Sequence, residues 1–360
     1  MPSLDVIKEY LASIGCAFPE IRLLQPADPF LDTTGEDLRR RIFITQENSG
    51  TTLCLRPEFT IPVCLAHLEQ AGGRAHYAYG GSAFRQRKEE PAEFTQAGFE
   101  DLGNPDKLSA DVNCIKVALE TARVGGARQT RLVLGNQSIF LTLLDALEIP
   151  LAWRKKLLRS FGDTQLLASQ LAALSNENSE RQVVLSKKLS EALDQGKDAV
   201  TRAVTDDMLQ FGLPLSGGRT PEAIADRLIE KAELSAAQLE PEKKAALEAF
   251  LKIDTKLKDA ETHITNYELK YGIDLPGASQ TLATLADSLQ SDTVATDYRA
   301  SFGRRLDYYT GLVFEIYREG LEKPIVGGGR YDHLLTLLGS KSEIPAVGFA
   351  VWIDRLGGAE

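Results

Sequence analysis

Ala83-Phe84-Arg85-Gln86-Arg87 and, a few residues on, Glu93-Phe94-Thr95-Gln96-Ala97-Gly98-Phe99-Glu100 decide how this chain is read. Both segments alternate in character, and a charged loop at residues 88–91, ending in Pro91, separates them, so the pattern predicts a β-hairpin. In the second strand the two-residue period puts Phe94, Gln96, Gly98 and Glu100 on one face. An amide, a bare backbone and a carboxylate, with Arg85 on the neighbouring strand, make a poor apolar core but a good floor for a small zwitterion. Taken alone, the hairpin is more simply a solvated sheet face. The segments on either side of it change that balance.

Upstream, Ser3 is placed to cap a helix with Leu4, Ile7, Tyr10, Leu11 and Ile14 on one face and Gly15 at its end. A short strand at residues 21–24 runs into Pro26, which cannot continue a central ladder. Residues 42–45 and 53–55 read as a second hairpin around Glu47-Asn48-Ser49-Gly50. It delivers Arg56-Pro57-Glu58-Phe59-Thr60, in which Pro57 stiffens the turn that presents Glu58 and Thr60. A helix follows to about residue 70, stopped by Gly72-Gly73.

Downstream, residues 108–124 predict a helix ending at Gly125-Gly126, and residues 130–134 a buried strand ending at Gly135-Asn136. From 149 to 294 strand formers almost vanish and Leu, Ala, Glu, Lys and Gln dominate, so an inserted helical domain is expected there, between core segments 1–148 and 295–360. Thr220-Pro221-Glu222 marks one of its helix starts, with the cap at Thr220. Strand character returns at residues 297–302 and 312–317. Gly327-Gly328-Gly329 is not followed by Lys-Ser/Thr, so it is no phosphate-binding P-loop, and it reads as a tight turn opening a helix with Leu334, Leu335 and Leu338.

Composition narrows the function classes. At 360 residues the chain can bury a sizeable core in two domains, and 41 basic against 51 acidic residues argue against a broad nucleic-acid surface. Cys16, Cys54, Cys64 and Cys114 form no CxxC pair and are expected as buried free thiols of a reducing cytosol. His67, His76, His263 and His333 lack ligand spacing, so each is expected at the surface or in packing, and neither a metal nor another cofactor is expected. With no signal peptide and no bilayer-length apolar run in view, a cytoplasmic protein without a membrane partner is expected. What remains is a set at strand ends: Glu58, Thr60, Arg85, Gln96, Glu100, Arg304, Tyr309 and Arg355. Each alone reads as a surface ion pair. Together they suit an amino acid and a nucleotide, since carboxylates accept from an ammonium, arginine forks a carboxylate or phosphate, and a guanidinium stacks on a purine.

Leu55-Arg56-Pro57-Glu58-Phe59-Thr60, Phe84-Arg85, Gln96-Ala97-Gly98-Phe99-Glu100, Arg304-Arg305-Leu306-Asp307-Tyr308-Tyr309, Gly328-Gly329-Arg330-Tyr331-Asp332 and Gly348-Phe349 through Asp354-Arg355-Leu356 occur in that order. The series resembles the catalytic core of histidyl-tRNA synthetase over residues 1–148 and 295–360. It implies an α+β fold, the class II synthetase antiparallel sheet flanked by helices, and a homodimer through the first helix and the Pro26 strand. The resemblance implies that Glu58, Thr60 and Gln96 hold a histidine amine and that Glu100 and Tyr309 hold the imidazole, with Tyr308 in the same pocket. It implies that Arg85 and Arg304 face carboxylate and α-phosphate, and that Arg355 completes with them a vestigial nucleotide set.

Three departures qualify the ligase. Arg87 stands where the ligase carries glutamate, Arg305 where it carries glycine, and only five residues follow Arg355, leaving no room for an anticodon-binding domain. In this the chain resembles the family of ATP phosphoribosyltransferase regulatory subunits. That resemblance implies a non-catalytic chain, without tRNA as a partner, in a hetero-oligomer with a short-form catalytic subunit. There it supports the first step of histidine biosynthesis and contributes to feedback inhibition by L-histidine. The alternatives are a ligase that activates histidine with ATP, and a synthetase-like module serving a different oligomer.

Overall fold

Two sheets organise the larger part of the chain in the computed structural model, which describes residues 4–70, 73–174, 187–212, 220–236, 239–291, 293–304 and 308–357. Ser3, Gly72 and Arg305, each given a role above, lie outside these. Strands β1 (Leu24–Pro26), β2 (Ile44–Gln46) and β3 (Thr52–Leu55) form a small sheet in the order β1-β3-β2. Pro26 is accommodated because β1 is an edge strand, with Pro26 opposite Leu53. The second sheet holds β4 (Ala75–Phe84), β5 (Glu93–Leu102), β6 (Thr130–Asn136), β7 (Asp254–Lys256), β8 (Ala295–Arg299), β9 (Leu312–Arg318), β10 (Val326–Arg330) and β11 (Ala346–Trp352). Its order is β4-β5-β11-β10-β9-β6-β8-β7, antiparallel throughout except for the β6–β8 pair. A parallel pair needs a long crossover, and the helical insertion lies within this one.

The decisive hairpin forms as β4 and β5, with Gly81 opposite Gln96 and Tyr79 opposite Gly98. Its two faces are separately covered. A Cβ at Gly80 would meet Leu4 and Lys8 of helix α1 (Leu4–Ser13), whereas one at Gly81 would meet Arg56 and Phe59. Within α1 Ile7 and Leu11 are buried, but Ile14 falls past its end and is exposed. Two short helices, α2 (Asp28–Thr33) and α3 (Glu36–Arg39), precede β2, and α4 (Thr60–Glu69) follows β3. Helix α5 (Lys107–Val124), capped by the Asp106 side chain on Ser109 N at 3.0 Å, packs on β5 and β11.

The triple glycine is a correction. Gly327, Gly328 and Gly329 are the middle of β10, paired with β9 on one side and β11 on the other, and none has a positive φ. The glycines are there for want of space: a Cβ at Gly327 would strike the Arg304 guanidinium, and one at Gly328 would strike Phe314 and the backbone of Gly348.

Helices α6 (Gln137–Ala146), α7 (Leu151–Arg159), α8 (Thr164–Leu174), α9 (Lys187–Asp194), α10 (Lys197–Gln210), α11 (Pro221–Ala236), α12 (Pro241–Leu251), α13 (Leu257–Tyr271) and α14 (Ala278–Ser288) fill the β6–β8 crossover, and α15 (Leu334–Leu337) follows β10. Compact packing divides the chain into residues 1–146, 161–163 and 248–360, and residues 147–160 and 164–247. The smaller unit therefore ends well before residue 294. The reason is that β7 adds an edge strand to the large sheet and α14 packs on α5, which composition cannot register. Inside the smaller unit, α9, α10 and α11 share a core around Val200, Val204 and Ala225. Trp153 is fully buried and donates to Leu234 O at 3.1 Å, and Thr220 caps α11 as expected.

In the larger unit Arg330, 5% exposed, joins β10 to its surroundings. It donates to Asp111 at 2.9 Å, to Asp332 at 2.8 Å and to Lys107 O at 2.7 Å. Burial pushes the Asp111 carboxyl up to about 6 despite this partner. Removing one member of a buried charge network strands the others. Arg330→Met is therefore expected to cost about 3–5 kcal/mol in urea unfolding at neutral pH; a loss below about 1 kcal/mol would mean the network is not a structural tie.

Candidate functional site

The site begins with Arg56. It is 4% exposed and donates to Ile21 O at 2.7 Å and Ser82 O at 2.7 Å while lying over Phe59, so the β3–α4 turn is pinned to the end of β4. That turn places Glu58 over the start of α4, where its carboxylate accepts from Thr60 N at 2.6 Å and Ile61 N at 3.0 Å. Glu58 is thus an N-terminal cap as well as a cavity wall, and its removal would also loosen α4.

Thr60 Oγ1 donates to Glu100 Oε1 at 2.8 Å, and the Tyr331 hydroxyl donates to Glu100 Oε2. The Glu100 carboxylate lies flat against Gly348, where any Cβ would collide with it. Tyr79, stacked on Phe59 with ring centroids 4.5 Å apart, passes over Gly98 to donate to Phe349 O at 3.1 Å.

These elements enclose a cavity of about 40 Å³, room for on the order of three waters. Of the eight residues expected to hold histidine, Glu58, Thr60, Arg85, Gln96, Arg304, Tyr308 and Tyr309 line it. Glu100 does not: it sits behind the lining and acts through Thr60 and Tyr331. Sequence reasoning assigned no part in the site to Tyr79, Tyr331, Trp352, Gly327 or Gly348, which are among the remaining lining residues, although Tyr331 and Gly348 stand within quoted motifs. Arg355 is elsewhere, in an adjoining cleft that shares Arg85 with the cavity. The expected nucleotide set of Arg85, Arg304 and Arg355 is therefore divided between two spaces. A larger groove of about 930 Å³, lined by Gln129, Arg131 and Tyr317 among others, gathers none of the expected residues.

Around the cavity, Arg85 Nε, Gln96 Oε1 and Arg304 Nη1 are buried and have no hydrogen-bonding partner among the described residues. Such groups are costly to leave unmet. Arg304 is held by Glu315 at 3.5 Å and faces the Tyr309 and Trp352 rings. Burial, with Arg87 close by, brings the Arg85 guanidinium down to about 10. Burial likewise raises Glu58. It pushes Glu100 up to about 8 against the hydrogen bonds from Tyr331 and Thr60.

A family description, histidyl-tRNA synthetase, matches residues 19–211 and 220–356. The chain is 47% identical over 343 residues to an ATP phosphoribosyltransferase regulatory subunit of Mesorhizobium japonicum, covering 94% of this chain and 91% of that one. It is 44% identical over 345 residues to a protein of the same name from Brucella anthropi, covering 94% and 91%. Its fold is similar to the crystal structure of an ATP phosphoribosyltransferase regulatory subunit/histidyl-tRNA synthetase from Bacillus halodurans, with a TM-score of 0.63 and 20% identity, covering 98% of this chain and 76% of that one.

The Glu100 proton gives a stability test. The folded chain holds that proton from the ordinary glutamate value of 4.5 up to about 8, whereas the unfolded chain releases it near 4.5. The contribution is full below the lower value and is lost as pH rises through the upper one. Glu100→Gln removes the titration and keeps the shape. Relative to this variant, the parent chain should lose a few kcal/mol of stability between about pH 5 and about pH 8.5 in urea denaturation, at about 1.4 kcal/mol per pH unit; parallel profiles would clear Glu100 of the effect.

Proposed function

This chain belongs to the family of ATP phosphoribosyltransferase regulatory subunits, which is built on the histidyl-tRNA synthetase fold, and we propose that it binds L-histidine in the Glu58–Gln96–Arg304 cavity and regulates a short-form catalytic subunit from there. That subunit condenses ATP with phosphoribosyl pyrophosphate, and the present chain serves as its non-catalytic activator and as the route of histidine inhibition. The observation that carries the reading is the set of unpaired buried atoms. Gln96 Oε1 is an acceptor and Arg85 Nε and Arg304 Nη1 are donors. With the Glu58 carboxylate beside them, they form the complement of an ammonium and a carboxylate held a few ångströms apart. Tyr308 and Tyr309 supply the aromatic wall for a flat side chain.

The space free in the cavity is small, about 40 Å³, and we infer that the lining side chains adjust around a bound amino acid. Arg85 and Arg304 are the side chains with most to gain, since each exchanges an unmet donor for a charge-assisted hydrogen bond. Glu100 contributes at one remove, by fixing Thr60 and Tyr331. The ligase reading asks Arg355 to serve ATP, and this arginine is engaged with Glu90 at 2.9 Å and Pro324 O at 2.9 Å. We accordingly place neither aminoacylation nor tRNA binding in this chain.

The test is phosphoribosyl-ATP formation by a purified short-form catalytic chain titrated with this protein, with and without histidine. Activation that histidine suppresses is expected. Gln96→Met should still activate but bind histidine about tenfold to a hundredfold more weakly, with folding stability changed by less than about 1 kcal/mol because the free chain gives Gln96 Oε1 no partner. Failure to activate, together with histidine-dependent ATP–pyrophosphate exchange by this chain alone, would replace the regulatory reading with the ligase one.

We further propose a homodimer across the outer face of the β1-β3-β2 sheet and α1. There Val6, Ile14, Leu23, Leu24 and Ile44 are between 39% and 53% exposed. Ile44→Glu should shift sedimentation from dimer to monomer. A monomeric parent chain would refute this interface.

A further inference from the structure

Between α7 and α8 the chain comes back to the larger unit for three residues. Phe161, Gly162 and Asp163 belong to that unit, whereas 147–160 and 164–247 form the smaller one. Phe161 anchors the return: its buried ring stacks on the fully buried Phe140 of α6, with centroids 4.7 Å apart. Gly162, in the left-handed region at φ +90°, then lies directly against Gly303. No side chain separates the two. A Cβ at Gly162 would strike the Gly303 carbonyl, and one at Gly303 would strike Phe161 and the Gly162 nitrogen. One residue earlier the same holds for β6, where a Cβ at Gly135 would strike the Phe302 carbonyl. Phe302 N closes the turn by donating to Arg299 O at 3.0 Å.

The residue after Gly303 is Arg304, which lines the amino-acid cavity and whose buried Nη1 has no partner among the described residues. Its guanidinium rests on Gly327, where a Cβ would strike it, and pairs with Glu315 at 3.5 Å. Those contacts support the head group, but a side chain with so many rotatable bonds aims a donor reproducibly only from a fixed Cα. Gly135, Phe161, Gly162 and Gly303 do not line the cavity, so their route to it runs through Arg304. Turn geometry alone would call for glycine at 162. It would not at Gly303, which has no positive φ, and there the contact with Phe161 and Gly162 is what excludes a side chain.

We propose that Phe161 and Gly162 form a clamp on Gly303 that positions Arg304 for the carboxylate of a bound amino acid, so that the inserted segment sets the affinity of a cavity it does not line. Phe161, Gly162 and Gly303 are positioning residues: each acts on the ligand only through the arginine. The consequence for ligand affinity rests on the histidine reading, whereas the clamp itself rests on packing. A methyl group forced between the two backbones would move the Arg304 Cα by on the order of 1 Å, enough to misalign a hydrogen bond to a carboxylate and to cost about tenfold in affinity.

The test is calorimetric titration of the purified chain with L-histidine in the parent, Gly303→Ala, Arg304→Met and the double variant, with circular dichroism confirming that each is folded. Gly303→Ala is expected to bind about tenfold more weakly than the parent, yet to cost less than about twofold once Arg304 is already methionine. Phe161→Leu, which removes the ring stack and leaves the backbone contact, should move affinity the same way by about threefold, and serves if Gly303→Ala does not fold. A second readout needs no ligand. Trp352 faces the Arg304 guanidinium at 5.9 Å and is one of two tryptophans, with Trp153 in the smaller unit. Gly303→Ala and Phe161→Leu should shift the Trp352 indole N–H resonance in the direction that Arg304→Met does and leave that of Trp153 in place. Unchanged histidine affinity in the folded variants, or an equal loss with and without Arg304, would overturn the proposal. If the parent bound no histidine, the histidine reading would fall and the indole resonance would decide the clamp: a Trp352 signal unmoved, or moved together with that of Trp153, would remove it.

Discussion

The buried carboxyl of Glu100 is the constraint on which the small cavity depends. It comes from β5, lies on the bare backbone of Gly348 in β11, and takes hydroxyls from Thr60 at the start of α4 and Tyr331 just past β10. Four elements distant in sequence are thereby registered around one group. Burial inside a low-dielectric sheet face is what pushes its ionisation up to about 8. A neutral acid can still accept from one hydroxyl and donate or accept at the other oxygen. An ionised one would need a cation that the fold does not place among its partners. The carboxyl thus serves the wall in its protonated form, and the lining residues Thr60 and Tyr331 inherit their orientation from it.

Much of this was legible in the residues, for identifiable reasons. Alternation from Phe94 to Glu100 marks a strand because a side-chain period of two survives even when the face is polar. The Thr220 cap and the buried state of the four cysteines follow from equally local chemistry. The triple glycine was misread because glycine is required both where a chain turns and where another group presses on a strand, and only the position of Arg304 over Gly327 tells these apart. Glu58 hid a second role: capping α4 depends on the geometry of the turn after Pro57. Glu100 was expected in the lining and stands one layer behind it, a matter of which oxygen faces which hydroxyl, and strand alternation carries no such information. The extent of the helical insertion was illegible for a similar reason, because helix composition does not say which core a helix joins.

Arg85 links the two spaces and limits what either can do. It stands in the wall of the small cavity and of the adjoining cleft, with a buried Nε that meets no partner among the described residues. Neighbouring Arg87 and Arg304 add like charge, so the arrangement favours an anion somewhere close by. Glu90 supplies one for the cleft; the cavity has only Glu58, and that carboxylate is already shared with two backbone amides. In unmet hydrogen bonds, as distinct from net charge, the cavity side stands out among the described residues.

That imbalance is what a sensor needs. A ligand shifts an equilibrium only by the difference in its affinity for the two states. On the proposed reading, a cavity with only about 40 Å³ free would admit an amino acid better once its lining has adjusted, and that difference in affinity is what would shift the equilibrium. Arg85 Nε, Arg304 Nη1 and Gln96 Oε1 have no hydrogen-bonding partner among the described residues, and a bound zwitterion would supply them. Ligand chemistry then completes pairings that folding left open. The lining is tied through Thr60, Tyr331 and Gly348 to α4, β10 and β11, so a change in it would be felt at the centre of the sheet as well as in one loop.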